Sequence, residues 1–309
     1  LRKGKTASEI LAEILLLCVG LVWGATFPVI KIAIESTGAL WFNAYRFFIA
    51  GVLAGVVLLL NFKRNPFSTD LTRYSFILGT LLAVGYTTQT VGLAYTESGK
   101  AGFITGLFVV LVPLFSALFF RKKPSTAVIL SVFLSVVGLA LLSLEKSIVP
   151  QKGDLLILIC AAAYAVHIII VDRITGRFHT VNLSMLQIVI AGIEMFLLAY
   201  IIQPSLPVPS SYAIFALLLT SVVATIFAFF IQIFAQKHLG PTRTALILLS
   251  EPVFAAIFGY LLLNEVFNLK KTIGALLLFS AMLISELYGQ EKSFSEEISG
   301  SLQAQPDNE

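Results

Sequence analysis

The chain has 309 residues, 58% of them hydrophobic and only 12% charged, with a mean hydropathy of +0.93. Soluble domains carry roughly 25% charged residues, so this composition excludes one. The basic excess, 21 Lys and Arg against 17 Asp and Glu, alternates between loops instead of clustering in one exposed patch, which argues against a nucleic-acid partner.

A helix that crosses lipid needs about 20 mostly apolar residues. Runs of that kind fall near 11–34, 40–60, 74–94, 101–120 and 125–144, then near 154–173, 181–202, 211–234, 242–263 and 270–288. The expected fold is an all-α integral membrane protein with ten transmembrane helices. Almost no chain is left for a soluble domain, and the polar, acidic stretch 290–309 reads as a disordered cytoplasmic tail.

The first span carries Trp23 and Cys18. In the second, Arg46 lies one turn from Asn43 and can snorkel outward or turn inward toward an acid or an anionic group. The third has a small and polar stripe, Gly79, Ala83, Tyr86, Thr87 and Thr90, with Gln89 on an adjoining face; these residues suit contact with a solute, and suit close helix packing equally well. Pro113 is expected to kink the fourth span. The sixth offers Tyr164 and His167; the histidine is either a packing residue or, because it titrates near neutral pH, half of a proton relay. Glu194 in the seventh calls for a basic partner or a second copy of the chain, that is, a homo-oligomer. The eighth has Ser221, Ala224, Thr225, Ala228 and Gln232 at helical spacing. Two cysteines are too few for a disulfide framework, and Cys18 and Cys160 read as small apolar packing residues.

The ninth span holds the most informative anomaly, Glu251 followed by Pro252 in an otherwise apolar run. Glu251 stands about ten residues, roughly 15 Å, into the span, where a carboxylate by default faces the bundle interior or a water-filled cavity. Ala255 and Gly259 continue its stripe with little bulk. Pro252 frees the carbonyl of Leu248 and is expected to kink the helix, with Pro113 as its mirror. Arg46 and His167 are the candidate partners of Glu251, and a structural ion pair is the alternative to a solute site.

Lys and Arg concentrate in one set of breaks: Arg2, Lys3, Lys5, Lys63, Arg64, Arg73, Arg121, Lys122, Lys123, Arg173, Arg177, Lys237 and Arg243, against Lys100, Lys146, Lys152, Lys270 and Lys271 opposite. By the positive-inside rule both termini are cytoplasmic, in a multi-pass protein of the cell (inner) membrane.

Sliding the chain by 141 positions brings Trp23 onto Tyr164, Lys31 onto Asp172, Arg46 onto Gln187, Ile49-Ala50-Gly51 onto Ile190-Ala191-Gly192 and Gly99 onto Gly240; Pro113 meets Pro252 at a shift of 139. The repeats are 11–144 and 154–289. A five-span unit duplicated in tandem enters the membrane in opposite orientations, so the halves form inverted repeats with a site near the midplane between them.

The stretches "LVWGATFPVIKIAI" (21–34), "NAYRFFIAG" (43–51) and "GLAYTESGKAGFITGLFVVLVPLFSAL" (92–118) resemble the first repeat of EamA-type transporters of the drug/metabolite transporter superfamily. "LGPTRTALILLSEPVFAAIFGYLLLNEVFNLKKTIGALLL" (239–278) resembles the second, through its Glu-Pro and its Asn-Glu at the next helix end. The resemblance implies ten helices, a cavity lined by the first, third, fourth, sixth, eighth and ninth, and export or exchange of small metabolites. It departs at "FFRKKPS" (119–125), where the family often has Gly-Glu.

Other motifs fail. "ESGKAG" and "GKT" lack the rest of a phosphate loop, no zinc or nucleophile motif is present, and the sequon at Asn182 falls on the cytoplasmic side. The reading is a secondary transporter of a small organic metabolite such as an amino acid, not an enzyme, with no cofactor or metal. The lipid bilayer is its surroundings and proton coupling is an open expectation. Its candidate substrate residues are Trp23, Tyr86, Gln89, Thr90, Tyr164, His167, Thr225, Gln232 and Glu251. The alternatives are an intramembrane enzyme and a helical scaffold without a cavity.

Overall fold

The computed structural model describes residues 7–61, 68–119, 124, 126–143, 151–174, 176–266 and 268–288. The polar tail, the basic N-terminus, and Lys63, Arg64, Arg121, Lys122, Lys123 and Lys146 of the breaks lie outside the described residues.

In chain order the helices are α1 (Ala7–Thr37), α2 (Ala39–Asn61), α3 (Thr69–Leu93), α4 (Ser98–Gly106), α5 (Phe108–Phe119), α6 (Thr126–Ser143), α7 (Lys152–Ile174) and α8 (Thr180–Ile202). Then come α9 (Ser211–Ser221), a π-helical turn (Val222–Phe227), α10 (Ala228–Leu248), α11 (Ser250–Leu263) and α12 (Leu269–Tyr288). Among the described residues, seven helical stretches are long and apolar enough to cross a membrane, with Ser98–Phe119 and Ser211–Leu239 each counted as one; Ile129–Gly138 and Ser250–Leu263 are shorter apolar helices.

Local chemistry sets the ends. Ser68 and Ser210 accept the amides of Leu71 and Ala213, capping α3 and α9, each cap being worth about 1 kcal/mol. Asn264 closes α11 in the left-handed region at φ 54°, and its own and Glu265's amides return to the carbonyls of Tyr260 and Gly259. Gly38, at φ 70°, lets the chain reverse between α1 and α2 without a loop.

Large apolar side chains face outward all round, Leu59, Leu60, Phe133, Leu118 and Ile201 among them, as a lipid-facing surface requires. Cys18 belongs to that surface, so it does not pack inside the bundle as expected, whereas Cys160 is fully buried.

Helix pairs are built on small residues. α2 crosses α8 where a Cβ on Gly51 would meet the backbone of Val189 and one on Gly192 would meet the carbonyl of Phe47. α3 packs on α7, α10 on α1, α6 on α12 and α4 on α11. Gly24 brings α1 against α11 so closely that a Cβ there would lie 2.7 Å from the Glu251 carbonyl.

Candidate functional site

A cavity at the centre of the bundle is lined from α1 (Trp23, Thr26, Phe27), α2 (Arg46), α3 (Leu82, Tyr86, Gln89), α5 (Phe108), α7 (Tyr164, His167, Ile168), α10 (Phe229, Gln232, Leu248) and α11 (Glu251). Its empty space is about 520 Å³, counted with its opening to solvent. Six of these fifteen side chains are Phe, Tyr or Trp. Tyr86 and Tyr164 meet edge-on at 5.6 Å between centroids, and Phe229 touches Trp23, Tyr86 and His167 at 5.7, 6.1 and 6.1 Å.

Arg46 is 1% exposed and turns inward. Its Nε donates to Thr225 Oγ1 at 2.9 Å and Nη2 to the Ala224 carbonyl at 3.3 Å, while the guanidinium lies 4.6 Å from the centroid of the Tyr86 ring. The second helix, outside the expected lining, therefore supplies the cavity's cation. Its seat is the π-helical turn. A π turn offsets the usual α-helical hydrogen-bond ladder, and here the Ala224 carbonyl also accepts from Trp23 Nε1 at 2.9 Å. Ser221 Oγ, just before the turn, donates to the Arg46 carbonyl at 2.9 Å.

Glu251 is 5% exposed and forms neither a hydrogen bond nor an ion pair among the described residues. The Arg46–Glu251 pairing weighed from the sequence is not made. The span carrying Glu251 does more than bend: the helix stops at Leu248 and restarts at Ser250, putting Glu251 and Pro252 in the first turn of α11. Proline is tolerated there because a first-turn amide has no partner within the helix, and a carboxylate there complements the helix dipole. The equivalent break in the first half falls at Leu107, just after Gly106, while Pro113 sits inside the continuous α5; the kink expected at Pro113 is displaced.

His167 lines the cavity, but its Nε2 bonds Gln187 Oε1 at 2.9 Å, so the expected His167–Glu251 relay pair is absent. Thr90 and Thr225 lie behind the wall. Thr90 donates to Asn43 Oδ1 at 3.2 Å, tying α3 to α2, and Thr225 holds Arg46. Gln89 lines the cavity and donates to Thr105 Oγ1 at 3.3 Å. Glu194 pairs with no basic residue among the described residues; it accepts from Thr80 Oγ1 at 2.8 Å. Gly79 is a packing residue against Ile190 and the Gln187 carbonyl. The lining residues that sequence reasoning missed are mostly apolar. Thr26, one turn from Trp23, could have been found by helical spacing, but nothing distinguishes Phe229 from the neighbouring Phe227 and Phe230.

Among the described residues Gln232 Oε1 is buried without a hydrogen-bond partner and the Tyr164 hydroxyl is buried beside Tyr86 and Cys160, so the cavity presents a guanidinium, a carboxyl, a hydroxyl and an amide among aromatic side chains. Among the described residues no three His, Cys, Asp or Glu side chains are grouped to hold a metal.

The sequence pattern of the EamA-like transporter family matches this chain twice, over residues 10–144 and 151–286. An uncharacterized transporter of Archaeoglobus fulgidus is 32% identical over 276 residues, 89% of this chain and 86% of its own length. The Bacillus subtilis uncharacterized transporter YoaV is 22% identical, with 85% of this chain and 92% of its own covered. A solved protein crystal structure superposes with a TM-score of 0.61 at 17% identity, covering 89% of this chain and 97% of that one, a likeness of fold alone.

Proposed function

The chain belongs to the EamA-like transporter family and is a multi-pass membrane protein whose relatives are named as transporters; on that premise we propose that it is a secondary transporter of a small zwitterionic organic solute, such as an amino acid. It exports or exchanges that solute across the cell membrane by alternating access. The carrying observation is that Arg46 and Glu251 line one buried cavity and leave each other unpaired. Unpaired opposite charges in a low-dielectric site are costly unless a ligand supplies both counter-charges. A carboxylate at Arg46 and an ammonium at Glu251 do so, and the rings accommodate an apolar remainder.

Two inverted five-span halves supply the motion. The helix pairs support this reading, since α3 on α7 and α10 on α1 exchange under the 141-residue shift, as do Gly51 and Gly192 at the α2–α8 crossing. Both termini lie in the cytoplasm, and the end of the bundle holding Gly38 is outer. Proton coupling rests on Glu251 alone, which takes a proton when it lacks the solute's ammonium; His167 is engaged by Gln187.

Proteoliposomes containing the purified chain test the reading with labelled amino acids. Saturable flux that is lost in Glu251→Gln is expected, and its absence for every zwitterion tried with a well-folded protein overturns the proposal. An imposed pH gradient that leaves the flux unchanged removes the proton coupling.

A further inference from the structure

Three lysines and three carboxylates join the two halves at the outer end. Lys31 of α1 reaches Glu265, just beyond α11, at 3.3 Å, and donates to the Thr96 carbonyl at 2.6 Å. Lys100 of α4 meets Asp154 of α7 at 2.9 Å, and Lys271 of α12 meets Glu97, just before α4, at 2.6 Å. Each pair takes one member from either half of the chain. Cross-links between the same segments reinforce them: Thr96 Oγ1 donates to Asp154 Oδ1 at 3.0 Å, and Glu265 accepts the amides of Ser98 and Gly99 at 2.8 and 3.0 Å, a carboxylate of one half capping a helix of the other. Lys31, Lys100, Lys271 and Glu97 all border one basin that opens to solvent.

We propose that this network is a latch holding the outer mouth shut, and that the cavity opens outward only when the three cross-half pairs separate. The side chains of Lys100 and Asp154 are 4% and 2% exposed, so parting them in place would leave two uncompensated charges out of water. Moving the halves apart floods the basin and rehydrates all six groups together, which makes closure all-or-none. Removing the Asp154 charge leaves the buried Lys100 ammonium with Gln151 Oε1, at 3.3 Å, in place of a counter-charge, a strain that outward opening relieves. The inference rests on the alternating-access reading, but its readout does not require transport.

Cys160 is the native reporter. It lies six residues beyond Asp154 on α7, roughly 9 Å deeper, and is 0% exposed. In a Cys18→Ala background, the full chain in vesicles of known orientation is treated from the outer side with a membrane-impermeant thiol reagent. Asp154→Asn should raise the Cys160 reaction rate roughly tenfold or more, as expected when a buried charge loses its partner. The exchanged pair Lys100→Asp/Asp154→Lys should return the rate toward that of the parent. Glu97→Gln, at a partly exposed pair that tolerates change, should act in the same direction. Unchanged Cys160 reactivity in either monodisperse single variant overturns the latch. Solute flux with unchanged reactivity removes the latch alone, while faster reactivity in a chain that carries no solute keeps the latch and removes the transporter reading.

Discussion

Arg46 and Glu251 share the lining of one cavity without forming an ion pair. The guanidinium is already held at its own wall by Thr225 and the Ala224 carbonyl, and the carboxylate opens a new helix on another wall. Each charge is placed by its own backbone feature, a π turn for one and a helix break for the other, so neither needs the other to stay where it is.

Glu251→Gln should therefore spare the fold while impairing binding. An unpartnered carboxylate contributes no contact to lose, so the unfolding temperature in detergent is expected to stay level or rise. Stabilisation by a zwitterionic solute should disappear. A variant that unfolds early while still responding to solute would place Glu251 among the structural residues.

Thr225→Val keeps the shape but leaves Arg46 Nε without its acceptor, a loss of about 1–3 kcal/mol for a buried polar group. Thr225→Ser restores the hydroxyl and should recover most of it. Thermal or denaturant unfolding of the three proteins checks the order, and weaker solute binding in the valine variant is expected to accompany it.

Gly24→Ala should be disruptive far beyond its one methyl group. The added carbon meets Phe254 Cβ at 2.5 Å and two backbone atoms of α11 under 3 Å, none of which can swing aside. Overpacking of this kind costs about 1–3 kcal/mol and here moves the helix that carries Glu251. Gly55→Ala, with nothing within 4 Å, is the contrast, and should be neutral or stabilising by up to about 1 kcal/mol.

Glu265 carries a pH dependence. Burial raises its pKa, but the amides of Gly99 and Ser98, the Ser98 hydroxyl and the Lys31 ammonium outweigh burial and hold it below the ordinary 4.5. A carboxyl lowered on folding contributes stability that is complete above its unfolded value and lost as pH falls through the folded one. The unfolding temperature of the parent chain should thus fall more steeply than that of Glu265→Gln between about pH 5 and 3. Parallel curves would show that the network adds nothing there.

What the sequence made legible follows from how local each signal is. Apolar run length is a local property, and it marked the seven described stretches that are long and apolar enough to cross a membrane. The rarity of a carboxylate in hydrocarbon marked Glu251, and aromatic residues in register marked Trp23 and Tyr164. Side-chain partners are not local. Arg46 is held from the second half of the chain, through a π turn that no periodicity announces, and Glu194 accepts a hydroxyl on α3. The break in the fourth span follows Gly106 instead of the more conspicuous Pro113, which is the sixth residue of α5 and does not interrupt it.

The π-helical turn also divides the two halves. α3, its counterpart at the 141-residue shift, runs as unbroken α-helix from Thr69 to Leu93. One additional residue in a turn rotates everything beyond it by about 100° around the axis. On the alternating-access reading proposed above, that wedge would make the exchange imperfect: the two resting shapes would differ in energy, and the protein would idle with a bias toward one side even when solute is level across the membrane.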